Sequence, residues 1–375
     1  MPPSPLVSLL RRSLPTVALL AGASALLLVT DRAGTRRSRP AVAVLKQVST
    51  AVLDDAVSGM LDGLAEKGWR DGETVTIRQF NAEGDMAQAN AIAREITGGG
   101  FDMVLTSSTP SLQAVATANE RGRVLHVFAA VADPYSAGVG LDRGDPLAHP
   151  RHLVGYGSLT PVDATFGILQ RINPRVARVG AAHNPSESNS RRFMELARAS
   201  CGRRGIELLE AAVENSSGVV EAVQATIARG AEVIFIPGDT TVASVCDAVV
   251  NVAAKAGVPV FTVVPGKPDR GTLFDVGFDF HEVGLLAGRL AGDLLNGRDP
   301  ATVPISETAR EITPRLTVNL VAPGIDRRVW RIPDELLGQA KVVVEEDGRR
   351  DQPEAVLAGP FDEPPPAEGR GGSAR

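Results

Sequence analysis

Hydroxyl, amide and carboxylate side chains recur in short segments that lie between runs of apolar residues. These segments cover residues 47–50, 107–111 and 132–134 in the first half of the chain, and 183–189 and 238–241 in the second. Side chains of these types donate and accept hydrogen bonds, so together they could hold a small polar molecule. The candidate ligand-binding residues are Ser49, Thr50, Ser108, Thr109, Asp133, Asn184, Ser186, Asn189, Asp239 and Thr240.

Two of these segments have the residue order of a helix start. Thr109 places a hydroxyl at a predicted N-cap before Pro110, which leaves backbone N–H groups free to bind a carboxylate or another anion. Asp239, Thr240 and Thr241 predict an equivalent start in the second half, with a negative charge that suits an ammonium group. Each segment could instead be an ordinary helix cap, but several polar loops at matching positions favour a binding site.

Apolar periodicity predicts the elements that carry these loops. The same series of strands, short polar loops and helices occurs in two successive halves between residues 41 and 265. Strands separated by helices in this way predict parallel strands linked by right-handed crossovers. Predicted strands start at residue 41 and cover 74–80, 103–106, 124–128, 179–182, 206–212, 233–237 and 258–263. The fold class is therefore α/β, with two Rossmann-like lobes whose polar loops lie at the carboxyl ends of the strands, where such sheets bind ligands.

Three further segments, at residues 155–160, 272–278 and 316–321, are predicted to join the lobes as a three-stranded hinge. The predicted units are a first lobe of residues 41–156 with 281–315, a second lobe of residues 157–280 and a return segment across the hinge over residues 316–343. Charged residues, proline and glycine dominate residues 344–375, which predicts a disordered tail.

Residues 1–40 are predicted to be a membrane anchor or a signal segment. An uncharged, mostly apolar stretch covers residues 13–30 and follows Arg11 and Arg12. Apolar residues 26–29 come directly after the small residues at which a signal peptide would be cleaved, which favours an uncleaved anchor; the lack of a nearby cysteine argues against a lipoprotein. The arginines after the stretch favour a cytoplasmic body by the positive-inside rule.

Composition and motifs argue against several classes of function. A formal net charge of -5 and an aromatic content of 4% give no surface suited to nucleic acid. Cys201 and Cys246 fit neither a zinc site nor a disulfide framework and are predicted to be small core residues. Glycine-rich phosphate loops, nucleophile elbows and zinc-protease motifs are not found, so no cofactor, metal or enzymatic activity is expected. Asp133 and Asp239 could form an acid/base pair, but a binding protein needs them only as acceptors.

Four motifs, in this order, resemble those of the ABC transporter substrate-binding proteins that include tryptophan and tyrosine binders. They lie at residues 80–90, 132–134, 184–190 and 277–280, and the resemblance covers residues 41–343. It implies a periplasmic-binding-protein type I fold and a non-catalytic cleft that delivers its ligand to a membrane permease with a cytoplasmic ATPase. It also implies export to an extracytoplasmic location, which conflicts with the orientation that the arginines favour and is preferred to it. The family's cleft positions fall near Ser49, Thr109, Asp133, Asn184, Ser186, Asp239 and Thr240.

Two loops depart from the family's pattern. The segment from Ser49 to Val52 stands where the family often has a His-Pro pair, and the segment from Val263 to Gly266 stands where it usually has a small polar and acidic pair. Both changes remove side chains that could touch a ligand. An aromatic amino acid is thus one candidate, and another amino acid or polar solute stays open.

The sequence favours a solute receptor that closes by hinge bending over three other classes of protein. A sugar-type transcriptional repressor would need a helix-turn-helix before Ala41, where the chain has an apolar stretch. A membrane-anchored ligand sensor uncoupled from transport is the main alternative, because the predicted anchor and tail suit it. An enzyme on the same two lobes is less favoured.

Overall fold

The computed structural model describes residues 39–265, 271–307 and 311–358, which form two α/β lobes. Elements are numbered along the chain. The strands of the first lobe are β1 (Ala41–Lys46), β2 (Thr76–Asn81), β3 (Met103–Ser107), β4 (Leu125–Val131), β5 (Leu153–Gly157) and β11 (Ser306–Glu307). Its helices are α1 (Ala51–Glu66), α2 (Met86–Thr97), α3 (Thr109–Ala118) and α9 (Phe280–Leu295). The six strands pair in parallel, in the order β11-β5-β4-β3-β1-β2.

The second lobe contains the remaining strands and helices. Its strands are β6 (Arg178–His183), β7 (Glu207–Ala212), β8 (Val233–Ile236), β9 (Val260–Thr262), β10 (Phe274–Gly277), β12 (Arg315–Asn319), β13 (Val342–Glu345) and β14 (Gly348–Asp351). Its helices are α4 (Val162–Ile172), α5 (Ser188–Arg204), α6 (Val219–Ala228), α7 (Thr240–Ala243), α8 (Cys246–Lys255) and α10 (Asp334–Gln339). The sheet order is β14-β13-β12-β10-β9-β8-β6-β7, and the pairs β10 with β12 and β13 with β14 are antiparallel.

Both sheets are covered on both faces, as the apolar strand sequences require. In β1, Val42 and Val44 pack into one core of the first lobe while Ala43 and Leu45 pack into the other. A parallel strand buried on both faces is expected to be apolar at successive positions, which is why these strands were recognisable. The predicted α/β class with two parallel-stranded lobes is confirmed.

Helix α9 packs closely against α1 in the first lobe. Gly59 and Gly63 lie on α1, and Gly284 and Gly288 lie on α9. A Cβ atom added to any of the four would come closer than 3.0 Å to backbone atoms of the other helix. The glycines therefore allow a separation of the two helices that no side chain would permit.

The chain passes between the lobes three times: between β5 and α4, between β10 and α9, and between β11 and β12. The predicted return segment over residues 316–343 was wrong, because β12, α10 and β13 belong to the second lobe and the third passage precedes Arg315. Leu316 and Val318 of β12 are buried in the core of that lobe, where β12 pairs with β10 and β13.

The predicted disordered tail was also wrong for residues 344–358. Strand β14 pairs with β13, Gln352 Nε2 donates to Leu337 O and Ala340 O at 2.8 and 2.7 Å, and Leu357 is buried. All four residues of β14 are exposed, so an edge strand forms here without apolar side chains. Residues 359–375 and almost all of the predicted N-terminal segment lie outside the described residues. Within the described ranges, no helix is long and apolar enough to cross a bilayer.

Candidate functional site

A cleft lies between the two lobes at the carboxyl ends of their strands. It holds about 530 Å³ of space between its lining atoms, part of which is continuous with solvent. The first lobe contributes Thr50, Val52, Leu53, Ser108, Thr109, Ala130, Ala132 and Phe280 to its walls, and the passage between β5 and α4 contributes Ser158 and Thr160. The second lobe contributes Asn189, Phe193, Gly238, Asp239, Thr240, Ala243, Val263 and Val264.

Helix starts and strained backbone shape the first-lobe wall. Ser108, rather than the predicted Thr109, is the N-cap of α3; its hydroxyl accepts a hydrogen bond from Ser111 N at 3.2 Å. Ser108 and Ala130 have φ angles of 120° and 54°, values that non-glycine residues seldom adopt. Such conformations cost about 1–3 kcal/mol each and collect at ligand sites, where the surrounding structure holds them.

In the second-lobe wall, a fully buried carboxyl group caps α7. Asp239 accepts hydrogen bonds from Asn184 N at 2.6 Å and Val242 N at 2.9 Å. Burial raises the pKa of Asp239 well above its usual range, and the nearby charge of Glu187 raises it further; hydrogen bonds from Asn184 N and Val242 N lower it by less. The group is thus anchored in the wall with a weakened tendency to ionise.

Glu187 lies at the start of α7, where the sequence predicts a negative charge suited to an ammonium group. Its carboxylate accepts hydrogen bonds from the backbone N–H groups of Thr240 and Thr241, at 2.9 and 3.0 Å, and from both of their hydroxyls. The backbone N–H groups at the start of α7 therefore already donate to a carboxylate of the protein itself. An ammonium near Asp239 stays a prediction.

Most of the cleft wall is apolar, but two buried polar atoms face no partner. Phe193 and Phe280 contribute aromatic surface. Thr160 Oγ1 and Asn189 Oδ1 have no hydrogen-bond partner among the described residues, and the two residues are only 1% and 5% exposed. Since a buried polar atom without a partner is costly, a bound molecule that supplies hydrogen bonds here would be stabilised.

The structure brings six predicted site residues to the cleft and leaves four outside it. The six are Thr50, Ser108, Thr109, Asn189, Asp239 and Thr240. Ser49 and Ser186 are exposed outside the cleft, and Asn184 is buried behind the wall, where its Nδ2 donates to Thr241 Oγ1 at 3.0 Å. Asp133 forms an ion pair beside the cleft. Ligand contact by the six stays a prediction.

Sequence reasoning missed two wall residues that it could have found. Phe193 follows Asn189 by one helical turn on α5, so the two lie on the same face of the helix. Thr160 lies in the passage between lobes, and a hydroxyl in such a segment is close to both walls. Helical spacing and position in the hinge were the available signals.

An ion pair joins the lobes beside the cleft. Asp133 follows β4 in the first lobe, Arg192 lies on α5 in the second, and Arg192 Nε is 3.2 Å from Asp133 Oδ2. The two side chains are only 3% and 7% exposed. Asp133 also accepts hydrogen bonds from Arg143, and Arg192 also pairs with Glu195 at 2.9 Å. Each charge therefore keeps a partner in its own lobe when the lobes separate.

Replacing Arg192 by methionine is expected to shift the equilibrium between open and closed lobes by about tenfold toward the open form. The variant removes the interlobe pair, while Asp133 keeps Arg143 as a partner. Small-angle X-ray scattering should record a larger radius of gyration than for the wild-type protein. The matched Arg143→Met variant removes only the pair within the first lobe and should leave the radius unchanged. Equal effects of the two would rule out a role in closure.

Asp239 predicts a pH dependence of stability. Because its pKa is raised in the folded state, the folded protein binds the proton more tightly, and that stabilisation is lost as pH rises from the ordinary value of 3.8 through the raised one. Between about pH 4 and about pH 8, the unfolding free energy of wild-type protein should fall relative to that of Asp239→Asn, by about 1.4 kcal/mol per unit of pKa increase. Urea denaturation measures this difference, and a difference that is constant with pH would contradict it.

Cys201 and Cys246 are both buried thiols outside any disulfide, which confirms them as small core residues. Burial raises the pKa of Cys201 to about 12, so its thiol is inert. In the part of the chain that the structure describes, no group of histidine, cysteine, aspartate and glutamate side chains could hold a metal ion.

The model of the family described as ABC transporter substrate binding protein matches residues 41–344, and the chain belongs to this family. The tyrosine-binding protein of Clostridioides difficile (strain R20291) is 26% identical over 265 residues, which are 71% of this chain and 75% of that protein. A conserved domain protein from Vibrio cholerae has a crystal structure with 30% identity and a TM-score of 0.75, covering 82% of this chain and 100% of that one.

A second solved structure is an ABC domain from Streptococcus pneumonia in complex with L-Trp. It is 26% identical to this chain, with a TM-score of 0.72, and covers 82% of this chain and 100% of its own. The two lobes, their sheets and the cleft between them have the periplasmic-binding-protein type I fold, as predicted.

Proposed function

We propose that this protein is the extracytoplasmic solute-binding component of an ABC importer and that its ligand is an amino acid with an aromatic or large apolar side chain. The observation that carries the proposal is the interlobe cleft, with its mostly apolar walls and two buried atoms, Thr160 Oγ1 and Asn189 Oδ1, that have no partner within the described ranges. A cleft of this kind suits a ligand with one apolar part and a few polar groups.

The walls suggest how such a ligand would lie. The ligand carboxylate would accept hydrogen bonds at the start of α3, near Ser108 and Thr109, where the helix dipole favours negative charge. The ammonium group would donate to Asn189 Oδ1 and lie close to Asp239. The side chain would pack against Phe193. Contacts from both lobes would stabilise the closed state.

Two relatives support an amino acid as the ligand. One is named a tyrosine-binding protein, and another was crystallised with L-Trp. Family membership likewise supports an ABC permease with a cytoplasmic ATPase as partner and a location outside the cytoplasm. The apolar stretch at residues 13–30 supports tethering to the inner membrane by an uncleaved segment. The cleft would bind its ligand without chemistry and need no cofactor.

A thermal-shift screen of the purified full-length protein tests the ligand class. A ligand at 100 times its dissociation constant stabilises the native state by about 2.7 kcal/mol. The expected result is a rise in Tm with L-tryptophan, L-tyrosine, L-phenylalanine or L-leucine and none with sugars or nucleosides. A rise with sugars alone would overturn the amino acid proposal. Ligand recovered chemically altered would point instead to an enzyme.

Uptake of the same labelled amino acid by cells with and without the gene tests the importer. Loss of uptake in the deletion strain is expected, because the permease depends on a loaded binding protein. Tight binding with unchanged uptake would favour the membrane-anchored sensor over the importer.

A further inference from the structure

Glu187 lies next to the cleft wall, and its carboxylate accepts five hydrogen bonds. It directly precedes α5 and is half-buried. Besides the four hydrogen bonds from Thr240 and Thr241, it accepts one from Asn189 Nδ2 at 3.0 Å. Glu187 thus connects the start of α7 to a side chain of the cleft wall.

This contact determines which end of the Asn189 amide is left without a hydrogen-bond partner among the described residues. Asn189 Nδ2 donates both to Glu187 and to Gly238 O, the latter at 2.9 Å. Both partners are acceptors, so rotating the amide by half a turn would place its oxygen against two other oxygens. Asn189 Oδ1 is therefore held as the free end, buried in the lining and without a partner among the described residues.

We infer that Glu187 is a positioning residue that fixes Asn189 as a hydrogen-bond acceptor, and that this acceptor makes the cleft selective for ligands with an amino group. The inference rests on the proposed function, since it concerns the same ligand. A carboxylic acid without the amino group would leave Asn189 Oδ1 unpaired on closure. A site built around a hydrogen bond discriminates strongly against analogues that cannot form it.

Paired ligands separate this role from a structural one. L-tryptophan and indole-3-propionic acid, or L-phenylalanine and 3-phenylpropionic acid, differ only in the amino group. Calorimetry of the wild-type protein should show a preference of at least roughly 100-fold for the amino acid of each pair. In Glu187→Gln, an amide that can donate replaces one of the two acceptors of Asn189 Nδ2, and Gly238 O alone holds the orientation, so the preference should fall by at least about tenfold.

Two further variants distinguish the effect on Asn189 from a change in the structure at the start of α7, which Glu187 also contacts. Asn189→Ala leaves the contacts of Glu187 with Thr240 and Thr241 in place and should lose the preference to the same extent. Glu207→Gln, an exposed glutamate on β7, is the matched control and should change nothing.

The outcomes separate the two proposals. If Glu187→Gln and Asn189→Ala weaken both ligands of a pair equally, Glu187 acts only on the stability of the wall and the inference fails. If wild-type protein binds neither member of any pair, the amino acid ligand itself is wrong, and the selectivity argued from Asn189 is wrong with it.

Discussion

Replacing Gly284 by alanine is expected to lower the free energy of unfolding by roughly 3 kcal/mol or more. The new Cβ would come closer than 3.0 Å to Ala56 O and Met60 N, both backbone atoms of α1. Backbone cannot rotate away as a side chain can, so α1 and α9 must separate and loosen the first-lobe core around Met60 and Leu290. Alanine gains about 1 kcal/mol in helix propensity over glycine, which is too little to offset that separation.

Gly202→Ala is the matched control for this effect. Gly202 also lies within a helix, α5, but it is exposed, and an added Cβ would meet no atom within 4 Å. The same chemical change should therefore raise the free energy of unfolding by about 0.5–1 kcal/mol. Urea denaturation followed by circular dichroism measures both variants. Similar values for the two would mean that the α1–α9 contact does not limit stability.

The fold was largely predictable because buried parallel strands have a distinctive sequence. Strands such as β1 and β8 are continuous apolar runs, and the helices between them show one apolar face. The sequence did not predict which strands pair with β12. Its apolar residues are compatible both with a hinge strand and with a strand in the sheet of the second lobe. The prediction missed strand β14 for another reason. This exposed edge strand is stabilised by backbone pairing with β13, and amino-acid composition does not indicate such pairing.

The candidate site was predictable as a set of loops but not as a set of contacts. Capping residues such as Asp239 mark the helix starts around the cleft, and the chain order of the lobes indicates that they meet. Whether a capping group faces a ligand or another part of the protein depends on distant residues. Glu187 binds the backbone of Thr240 across 53 positions of sequence, and no local pattern indicates that contact. Asn184 is likewise held away from the cleft by a long-range contact, the hydrogen bond from its Nδ2 to Thr241 Oγ1.

Replacing Gly238 by alanine is expected to weaken amino acid binding by about 100-fold, which corresponds to about 2.7 kcal/mol. Gly238 lies in the second-lobe wall, and an added Cβ would come closer than 3.0 Å to ring atoms of Phe193. The Phe193 ring is almost fully buried, and its other sides pack in the core of the second lobe. The space open to the displaced ring is therefore the cleft, where it would take the place of the ligand's side chain.

A second substitution distinguishes a blocked cleft from a damaged wall. In Gly238→Ala/Phe193→Ala the ring that would be displaced is absent, so binding should recover at least tenfold relative to Gly238→Ala, although contact with the ligand's side chain is lost. Both variants should unfold cooperatively in urea. If the double variant binds no better than Gly238→Ala, the added methyl group acts through the backbone, where Gly238 O holds Asn189. In that case the loss of affinity would depend on the amino group of the ligand, because a displaced Gly238 O no longer holds the Asn189 amide. A displaced Phe193 ring would instead make the loss depend on the size of the ligand's side chain.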